Sequence, residues 1–209
     1  MITSYASLQT EIAAWLNRDD LTSEISTFIA NGEGRLNRMV RHREMQTSSS
    51  VALDANGEAN VPSDYIEWRL LTLSTTPEST PRYVEPDSRE FMYRFRPYAN
   101  PQFATVVAGK LKVQPAAQVS GTLYYYAKLP ALSTTNTTNW LLDRAPDAYL
   151  YAALVEAASY MEDGDAMTMY SEQLQGALTE LAQDDRASRL ARTAADPLPL
   201  APKTQETQP

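Results

Sequence analysis

The chain has 209 residues, of which 43% are hydrophobic and 21% charged, a composition typical of a globular protein with its own core. It contains no cysteine, which excludes disulfides, thiolate nucleophiles and thiolate metal sites. The formal net charge of -8 disfavours tight binding to a phosphate backbone. Because neither a signal peptide nor a long apolar run is evident, we expect neither secretion nor insertion into a membrane.

Two amphipathic helices are predicted at the N-terminal end. Ser4 is a suitable cap for the first helix, and Thr22 or Ser23 for the second. Gly32 and Gly34 lie in the middle of the second helix, and we interpret them as marking a close helix crossing. The apolar stripes comprise Tyr5, Leu8, Ile12, Trp15 and Leu16 in the first helix and Ile25, Phe28, Ile29, Leu36, Met39 and Val40 in the second.

A β-rich region is predicted from residue 44 onward, where the apolar pattern changes to a period of two. Residues 51–53 and 59–61 flank the Asn56-Gly57 pair, which favours a hairpin with a primed turn. A buried strand is predicted next, followed by a polar loop and a short helix capped by Asp87. The further predicted elements are the strand at 65–74, the loop at 75–81, the helix through Phe95, and strands at 103–107, 110–114 and 121–129.

The last of these strands has two different faces. Leu123, Tyr125, Ala127 and Leu129 form a predicted core face, and Thr122, Tyr124, Tyr126 and Lys128 form the opposite face. Tyrosine is enriched at protein interfaces, so Tyr124 and Tyr126 are candidates for a subunit contact. Packing on a neighbouring strand of the same sheet explains them equally well.

Helical periodicity returns after a polar loop at 133–139. Pro146 suits a first helical turn, and in Asp163-Gly164-Asp165 we expect the glycine to end one helix and Asp165 to cap the next. The apolar faces contain Leu150, Ala153, Leu154, Ala157, Ala158 and Met161 in one helix and Tyr170, Leu174, Ala177, Leu178 and Leu181 in the next. Beyond about Leu190 the prolines predict an extended chain.

The predicted fold class is therefore α+β. Helices from 1–43 and 139–192 form a bundle, residues 44–138 form a β-rich insertion, and residues 193–209 form an extended C-terminal arm.

No catalytic, cofactor or metal site is predicted. The single histidine, His42, lies among arginines that disfavour its protonation, and we interpret it as a solvated residue at a helix end. Asp163-Gly164-Asp165 lacks the ligand spacing of a calcium loop, and Gly32-Glu33-Gly34 lacks the third glycine of a dinucleotide site. The adjacent acidic pairs Asp19/Asp20 and Asp184/Asp185 diverge on a helix, so they do not form a catalytic carboxylate pair.

Three features are candidates for interaction besides a purely structural role. The basic run Arg35, Arg38, Arg41 and Arg43 fits an acidic partner or nucleic acid, although the helix dipole also favours arginine near a C-terminus. The tyrosine face is the second candidate. The third is the arm, which is either an assembly segment that orders on docking or a frayed end; its candidate contact residues are Pro197, Leu198, Pro199, Leu200 and Pro202.

Both helical ends carry a family resemblance. The stretch 139–158, from Asn-Trp-Leu-Leu-Asp-Arg-Ala-Pro-Asp-Ala-Tyr onward, and the following 170–178 resemble phage adaptor, or head-to-tail connector, proteins. The opening 5–16 and the segment Glu33-x-Arg35-Leu36-Asn37-Arg38 are similar to that family as well.

The resemblance implies a structural virion protein rather than an enzyme. About twelve copies would form a closed ring in the neck, beneath the portal protein and above a tail or nozzle protein, after assembly in the host cytoplasm. DNA would pass through the channel without specific binding, and the arm would lie along the portal or a neighbouring subunit. The alternatives are another neck or tail-completion protein and, less favoured by the net charge, a DNA-packaging or DNA-binding protein.

Overall fold

The computed structural model describes residues 1–92 and 100–195, which form a helical bundle and a β-rich insertion. The helices are α1 (Tyr5–Leu16), α2 (Ile25–Met39), α3 (Arg89–Met92), α4 (Trp140–Arg144), α5 (Pro146–Tyr160) and α6 (Gly164–Ala195). The strands are β1 (Gln46–Ala52), β2 (Glu58–Asn60), β3 (Tyr65–Leu73), β4 (Arg82–Tyr83), β5 (Phe103–Val107), β6 (Lys110–Gln114) and β7 (Ser120–Ala127). The predicted α+β class, with helical ends and a β-rich middle, is confirmed.

The seven strands found in residues 1–92 and 100–195 form two small sheets. One has the order β1-β7-β3 with antiparallel pairing throughout, and the other has the order β2-β6-β5-β4, in which only β4 and β5 run parallel. The three strands predicted after residue 100 are confirmed to within a few residues of their ends.

The bundle core lies where α5 packs between α2 and α6. Gly32 of α2 faces the backbone of α5, and a Cβ built on it would lie 3.1 Å from both Ala152 C and Ala153 N. The close helix crossing predicted from the glycines is therefore confirmed at Gly32. Gly34 is different, because its added Cβ would meet only the Arg38 side chain, at 3.7 Å.

The Asn56-Gly57 turn forms, but the strands beside it do not make the predicted hairpin. Asp54 caps the turn by accepting hydrogen bonds from the backbone N–H groups of Asn56 and Glu58, both at 2.9 Å. Only Gly57 has a positive φ, of 72°, so the turn is not a primed one. β1 then pairs with β7 and β2 pairs with β6, so the turn connects two different sheets.

The strand predicted as buried, β3, is largely accessible. Leu71 and Leu73 are fully buried, whereas Leu70 is 42% exposed. β3 is an edge strand of the three-stranded sheet, and the described elements leave the sheet face around Leu70 open.

The helix caps were predicted correctly at Ser4 and incorrectly at the second helix. Ser4 forms a capping box with Ser7 at the start of α1. The N-cap of α2 is Glu24, which makes no side-chain capping bond, rather than Thr22 or Ser23. Pro146 occupies the first turn of α5, as predicted.

Two other predicted caps are shifted by one or two residues. Asp163, not Asp165, caps α6 by accepting a hydrogen bond from the N–H of Ala166 at 3.0 Å. The left-handed residue before it is Glu162, with φ 57°, rather than the glycine. Ser88, not Asp87, caps α3, and the predicted continuation of that helix to residue 95 lies outside the described residues.

Helix α6 continues to Ala195, so the first three residues of the predicted extended arm, 193–195, are helical instead. Asp185 is the last side chain on it that is described as buried. The contact residues predicted on the arm, 197–200 and 202, lie outside the described part of the chain.

Candidate interaction surfaces

The basic run is paired mainly with carboxylates of the same chain. Arg35 Nη2 lies 2.7 Å from Glu156 Oε1 of α5, which ties α2 to α5. Arg41 Nε lies 2.7 Å from Glu67 Oε2 of β3, and the same guanidinium donates to the carbonyl of Val40 at 2.6 Å. Arg41 therefore joins the end of α2 to the β insertion.

The other two arginines differ in their surroundings. Arg43 Nε lies 3.9 Å from Asp185 Oδ1 of α6 and 3.8 Å from Glu44 Oε1. Arg38 is exposed and makes no ion pair with any described residue. Of the four arginines in the run, three have a carboxylate partner. Arg38 is exposed to solvent and has no such partner in residues 1–92 and 100–195.

His42 is buried, which corrects the prediction of a solvated residue. Its side chain is 2% exposed, and its ring stacks on Trp140 with centroids 4.9 Å apart. Nδ1 accepts a hydrogen bond from the N–H of Glu44 at 3.2 Å, and Nε2 lies 3.7 Å from Asp185 Oδ1. Burial lowers the pKa of His42 because a charged imidazolium would lose its hydration there.

The two candidate tyrosines lie in different environments. Tyr126 is 5% exposed and packs in the bundle core, where its hydroxyl accepts a hydrogen bond from Gln46 Nε2 at 3.2 Å. The guanidinium of Arg69 stands 5.4 Å from the centre of its ring. Tyr126 is thus used within the folded chain, at the junction of sheet and bundle. Tyr124 is 42% exposed and remains accessible.

Tyr124 lies in an open groove on the accessible face of the three-stranded sheet. Across the sheet it is flanked by Ser48 of β1 and Leu70 of β3. The groove has a volume of about 630 Å³ and is lined by Gln46, Thr47, Ser48, Arg69, Leu70, Tyr124 and Tyr125. Its combination of exposed apolar side chains with one cation and several hydroxyl groups resembles the composition of protein interfaces more than that of a catalytic cleft.

A buried polar network, not predicted from the sequence, holds α2, α5 and the loop after β7 together. Glu33 Oε1 accepts hydrogen bonds from the N–H of Leu132 at 2.7 Å and from the hydroxyl of Tyr149 at 3.3 Å. Asn139 donates to the same hydroxyl at 2.6 Å and to the carbonyl of Pro130 at 2.8 Å. Asn139 also caps α4, since its Oδ1 accepts from the N–H of Leu142 at 3.0 Å.

Burial raises the pKa of Glu33, although the bonds from Leu132 and Tyr149 partly oppose that effect. Burial also raises the pKa of the Tyr149 hydroxyl. A sequence signal for Glu33 does exist: it lies four residues after Ile29 and three before Leu36, on the apolar stripe of α2. A carboxylate in that position needs a buried partner.

The insertion contains a smaller polar contact of the same kind. The hydroxyl of Tyr125 donates to Asp64 Oδ1 at 2.9 Å, and burial together with this carboxylate raises its pKa to about 12. Within the described ranges, no group of three or more histidine or acidic side chains is arranged to hold a metal ion. None of the described helices combines the length and apolar character needed to cross a bilayer.

Sequence comparison identifies the family to which the chain belongs. A family model described as SU10 adaptor protein matches residues 3–196, which include both helical ends and the whole insertion. The chain belongs to the SU10 adaptor protein family. The adaptor shows no significant match to any curated protein. It is accordingly a phage adaptor protein, a structural component of the virion that interacts with other phage structural proteins.

Two of the segments that carry the family resemblance contribute to the buried network. Glu33 begins the segment Glu33-x-Arg35-Leu36-Asn37-Arg38, and Asn139 and Tyr149 lie in the stretch 139–158, so these two segments meet in the buried network. These three residues of the resemblance therefore contribute to the stability of the fold.

Proposed function

We propose that this adaptor forms a closed ring of about twelve copies that joins the portal to the tail or nozzle and continues the DNA channel. The observation that carries the proposal is the family match across residues 3–196, because it includes the bundle and the insertion together. The protein acts by contact and has no catalytic role in this proposal.

A closed ring requires two different surfaces on each copy, one for each neighbour. The Tyr124 groove supplies a candidate for one of them, since its exposed apolar side chains lack a covering layer within the described chain. The C-terminal segment after α6 supplies a candidate for contact with the portal or a neighbouring copy.

The charge distribution supports a conduit rather than a DNA-binding protein. Acidic residues outnumber basic ones by 26 to 18, so the chain as a whole repels phosphate. Three arginines of the basic run face carboxylates of the same chain, at Glu156, Glu67 and Asp185. A DNA-packaging protein would instead direct such a run at the nucleic acid. Another neck or tail-completion protein remains the closest alternative role.

The test is to size the purified adaptor alone and mixed with the virion's portal ring, in full-length form and truncated after Ala195. This truncation keeps α6 intact and removes only the segment that follows it. We expect the full-length adaptor to join the portal as a ring and the truncated form to bind more weakly or not at all.

Two results would contradict the proposal. If the full-length adaptor does not bind the portal, the role as a portal adaptor is wrong. If it also shifts a DNA fragment at physiological salt, the DNA-packaging alternative is correct, because only that role predicts such binding. Equal binding by both forms would exclude a contribution of residues 196–209 to portal binding and would leave the ring proposal in place.

A further inference from the structure

The two outer strands of the three-stranded sheet differ in how their free edges are protected. In β3 the register is interrupted twice, between Tyr65 and Glu67 and between Trp68 and Leu70. β3 also carries Glu67 and Arg69, and Glu67 is bound by Arg41 of the bundle. Bulges and charges of this kind prevent a further strand from pairing with an edge.

The edge of β1 has none of these protections. Its seven residues pair with β7 in one continuous register, Gln46 with Tyr126 through to Ala52 with Ser120. The strand contains no charged residue and no proline. Apart from β7 and β2, no described element makes extensive contact with β1. An edge this regular and accessible is a template for another strand.

The ladder geometry identifies the backbone groups that are free. The N–H of Leu53 donates to the carbonyl of Val119 at 2.9 Å, so the odd-numbered residues of this segment bond toward β7. Because bonding direction alternates along a strand, Ser48, Ser50 and Ala52 direct their N–H and C=O groups away from the sheet. β1 therefore presents these N–H and C=O groups at intervals of two residues. The Ser50 carbonyl also accepts a long hydrogen bond, of 3.4 Å, from the Ser49 hydroxyl, which a partner strand would replace.

The chain contains a segment whose proline spacing matches this edge. Residues 196–201 read Asp-Pro-Leu-Pro-Leu-Ala. Proline is tolerated in an edge strand only where its missing N–H would face away from the sheet. In an extended segment, Pro197 and Pro199 can occupy the positions whose N–H would face away from the partner strand. Leu198 and Leu200 then direct their N–H groups to the partner strand. Alternating proline and leucine thus leaves every donor that the pairing needs.

We propose that residues 196–201 of a neighbouring copy add to the free edge of β1 as an additional strand. The proposal rests on the ring proposed above, which places another copy beside each subunit. α6 continues ten residues beyond Asp185, about 15 Å, before this segment begins. Along that length α6 makes no extensive contact with β1 of its own chain.

The side chains of the added strand would cover the accessible groove. Paired residues place their side chains on the same face, so Leu198 and Leu200 would lie beside Ser48 and Ser50. That face carries Tyr124 and its neighbour Leu70, each 42% exposed. The two leucines would bury this apolar surface, and the interface would combine backbone hydrogen bonds with side-chain packing, as in known strand-addition complexes.

Cysteine crosslinking tests the proposal directly, because the wild-type chain has no cysteine. Copies with Ser48→Cys or Ser50→Cys are mixed with copies with Leu198→Cys or Leu200→Cys, assembled on portal rings and oxidised. Two paired cysteines lie within disulfide distance. We expect crosslinking between copies to exceed by at least about tenfold that of a control using Ser171→Cys, on the exposed side of α6, because pairing raises the effective concentration.

Proline substitutions provide a test that does not depend on the register. Leu198→Pro removes an N–H group that would face β1. We expect crosslinking of Leu200→Cys with Ser48→Cys or Ser50→Cys to become roughly fivefold weaker, which corresponds to the loss of one backbone hydrogen bond. Ala201→Pro is the matched control, because its N–H has the outward phase. We expect this control to leave crosslinking unchanged.

The results separate this inference from the proposed function. If wild-type rings form on the portal but none of the four cysteine pairs crosslinks above the control, strand addition is wrong while the ring proposal stands. If the Ser50→Cys/Leu198→Cys double variant crosslinks only within one chain, the neighbouring copy is not the source and the proposal is overturned. Equal effects of Leu198→Pro and Ala201→Pro would likewise exclude strand pairing.

Discussion

The buried network of the helical bundle finds its hydrogen-bond partners within the chain, whereas the outer edge of β1 in the insertion has no partner strand among the described residues. In the bundle, Glu33, Asn139 and Tyr149 are bonded to each other or to nearby backbone groups. In the insertion, β1 pairs with β7 on one side and with no described strand on the other. A buried polar group must find a partner during folding, but an exposed edge can obtain one later, from another chain. We therefore expect the buried network to contribute mainly to stability and the free edge of β1 to be available for contact with another chain.

The same comparison explains the distribution of the family motifs. The motifs lie in the bundle, where residues such as Glu33 and Tyr149 have fixed partners at short distances. The open groove around Tyr124 lies in the insertion and outside the segments that carry the family resemblance. Variants of the bundle therefore test stability, and variants of the insertion and the C-terminal segment test assembly.

The largest expected effect is at the helix crossing. Gly32→Leu places a side chain against the backbone of Ala152 and Ala153, where even a Cβ would lie at 3.1 Å. We expect the free energy of unfolding to fall by about 3 kcal/mol, because α2 and α5 must move apart. Urea denaturation of the purified protein measures this change.

Gly34→Ala is the matched control in the same helix. Its Cβ would meet only the flexible Arg38 side chain at 3.7 Å, so we expect stabilisation by about 0.5 to 1 kcal/mol from helix propensity. If both variants destabilised the protein equally, the close packing of α2 on α5 would not be the cause.

An intermediate effect is expected for Glu33. Glu33→Ala leaves the N–H of Leu132 and the hydroxyl of Tyr149 without their shared acceptor, which should cost about 2 kcal/mol of stability. Glu33→Gln keeps an acceptor oxygen and removes the titrating group, so it should lose much less. Denaturation at neutral pH distinguishes the two variants.

The pH dependence gives Glu33 a second signature. Because burial raises the pKa of its carboxyl in the folded state, its contribution to stability is present at low pH and is lost as pH rises through that pKa. Glu33→Gln should remove this part of the slope. An unchanged slope in the Gln variant would show that Glu33 is not buried in a titratable form.

The smallest expected effect concerns His42, whose pKa is lowered by burial. Its contribution is fully present above the ordinary histidine pKa of about 6.5 and is lost as pH falls through the lower folded value. We expect the free energy of unfolding to decrease over that window by at most about 1.4 kcal/mol per pH unit. Trp140, which stacks on the imidazole, offers a fluorescence signal for the measurement.

His42→Asn is the comparison for this titration, because it is the chain's single histidine and the variant has no imidazole to protonate. The groups that face it are Asp185, Arg144, Arg43 and Glu44. Asp185 favours the protonated imidazole and so limits the slope. A slope that is identical in wild type and variant would assign the pH dependence to carboxylates instead of the histidine.

Much of the secondary structure was predictable, because its causes are local. The Ser4 cap, the Pro146 helix start and the strands after residue 100 follow from side-chain periodicity and from backbone preferences of neighbouring residues. The close approach at Gly32 was also predictable. A glycine destabilises the middle of a helix, and its lack of a side chain lets a second helix pack against it closely. Some caps lie one or two residues from the predicted position, as at Asp163. Neighbouring polar side chains can all serve as a cap, and the backbone path at the start of the helix decides which one does.

The sequence by itself thus determined the order of helices and strands, the absence of thiol chemistry and, through its motifs, the family. The tertiary structure decided which strands pair, that Tyr126 and His42 are buried while Tyr124 is exposed, and that three of the four arginines of the basic run face carboxylates. These outcomes depend on residues far apart in the chain, such as Arg43 and Asp185 or Glu33 and Tyr149. Local periodicity does not report such pairs, because burial and electrostatic partners are set by how the elements pack.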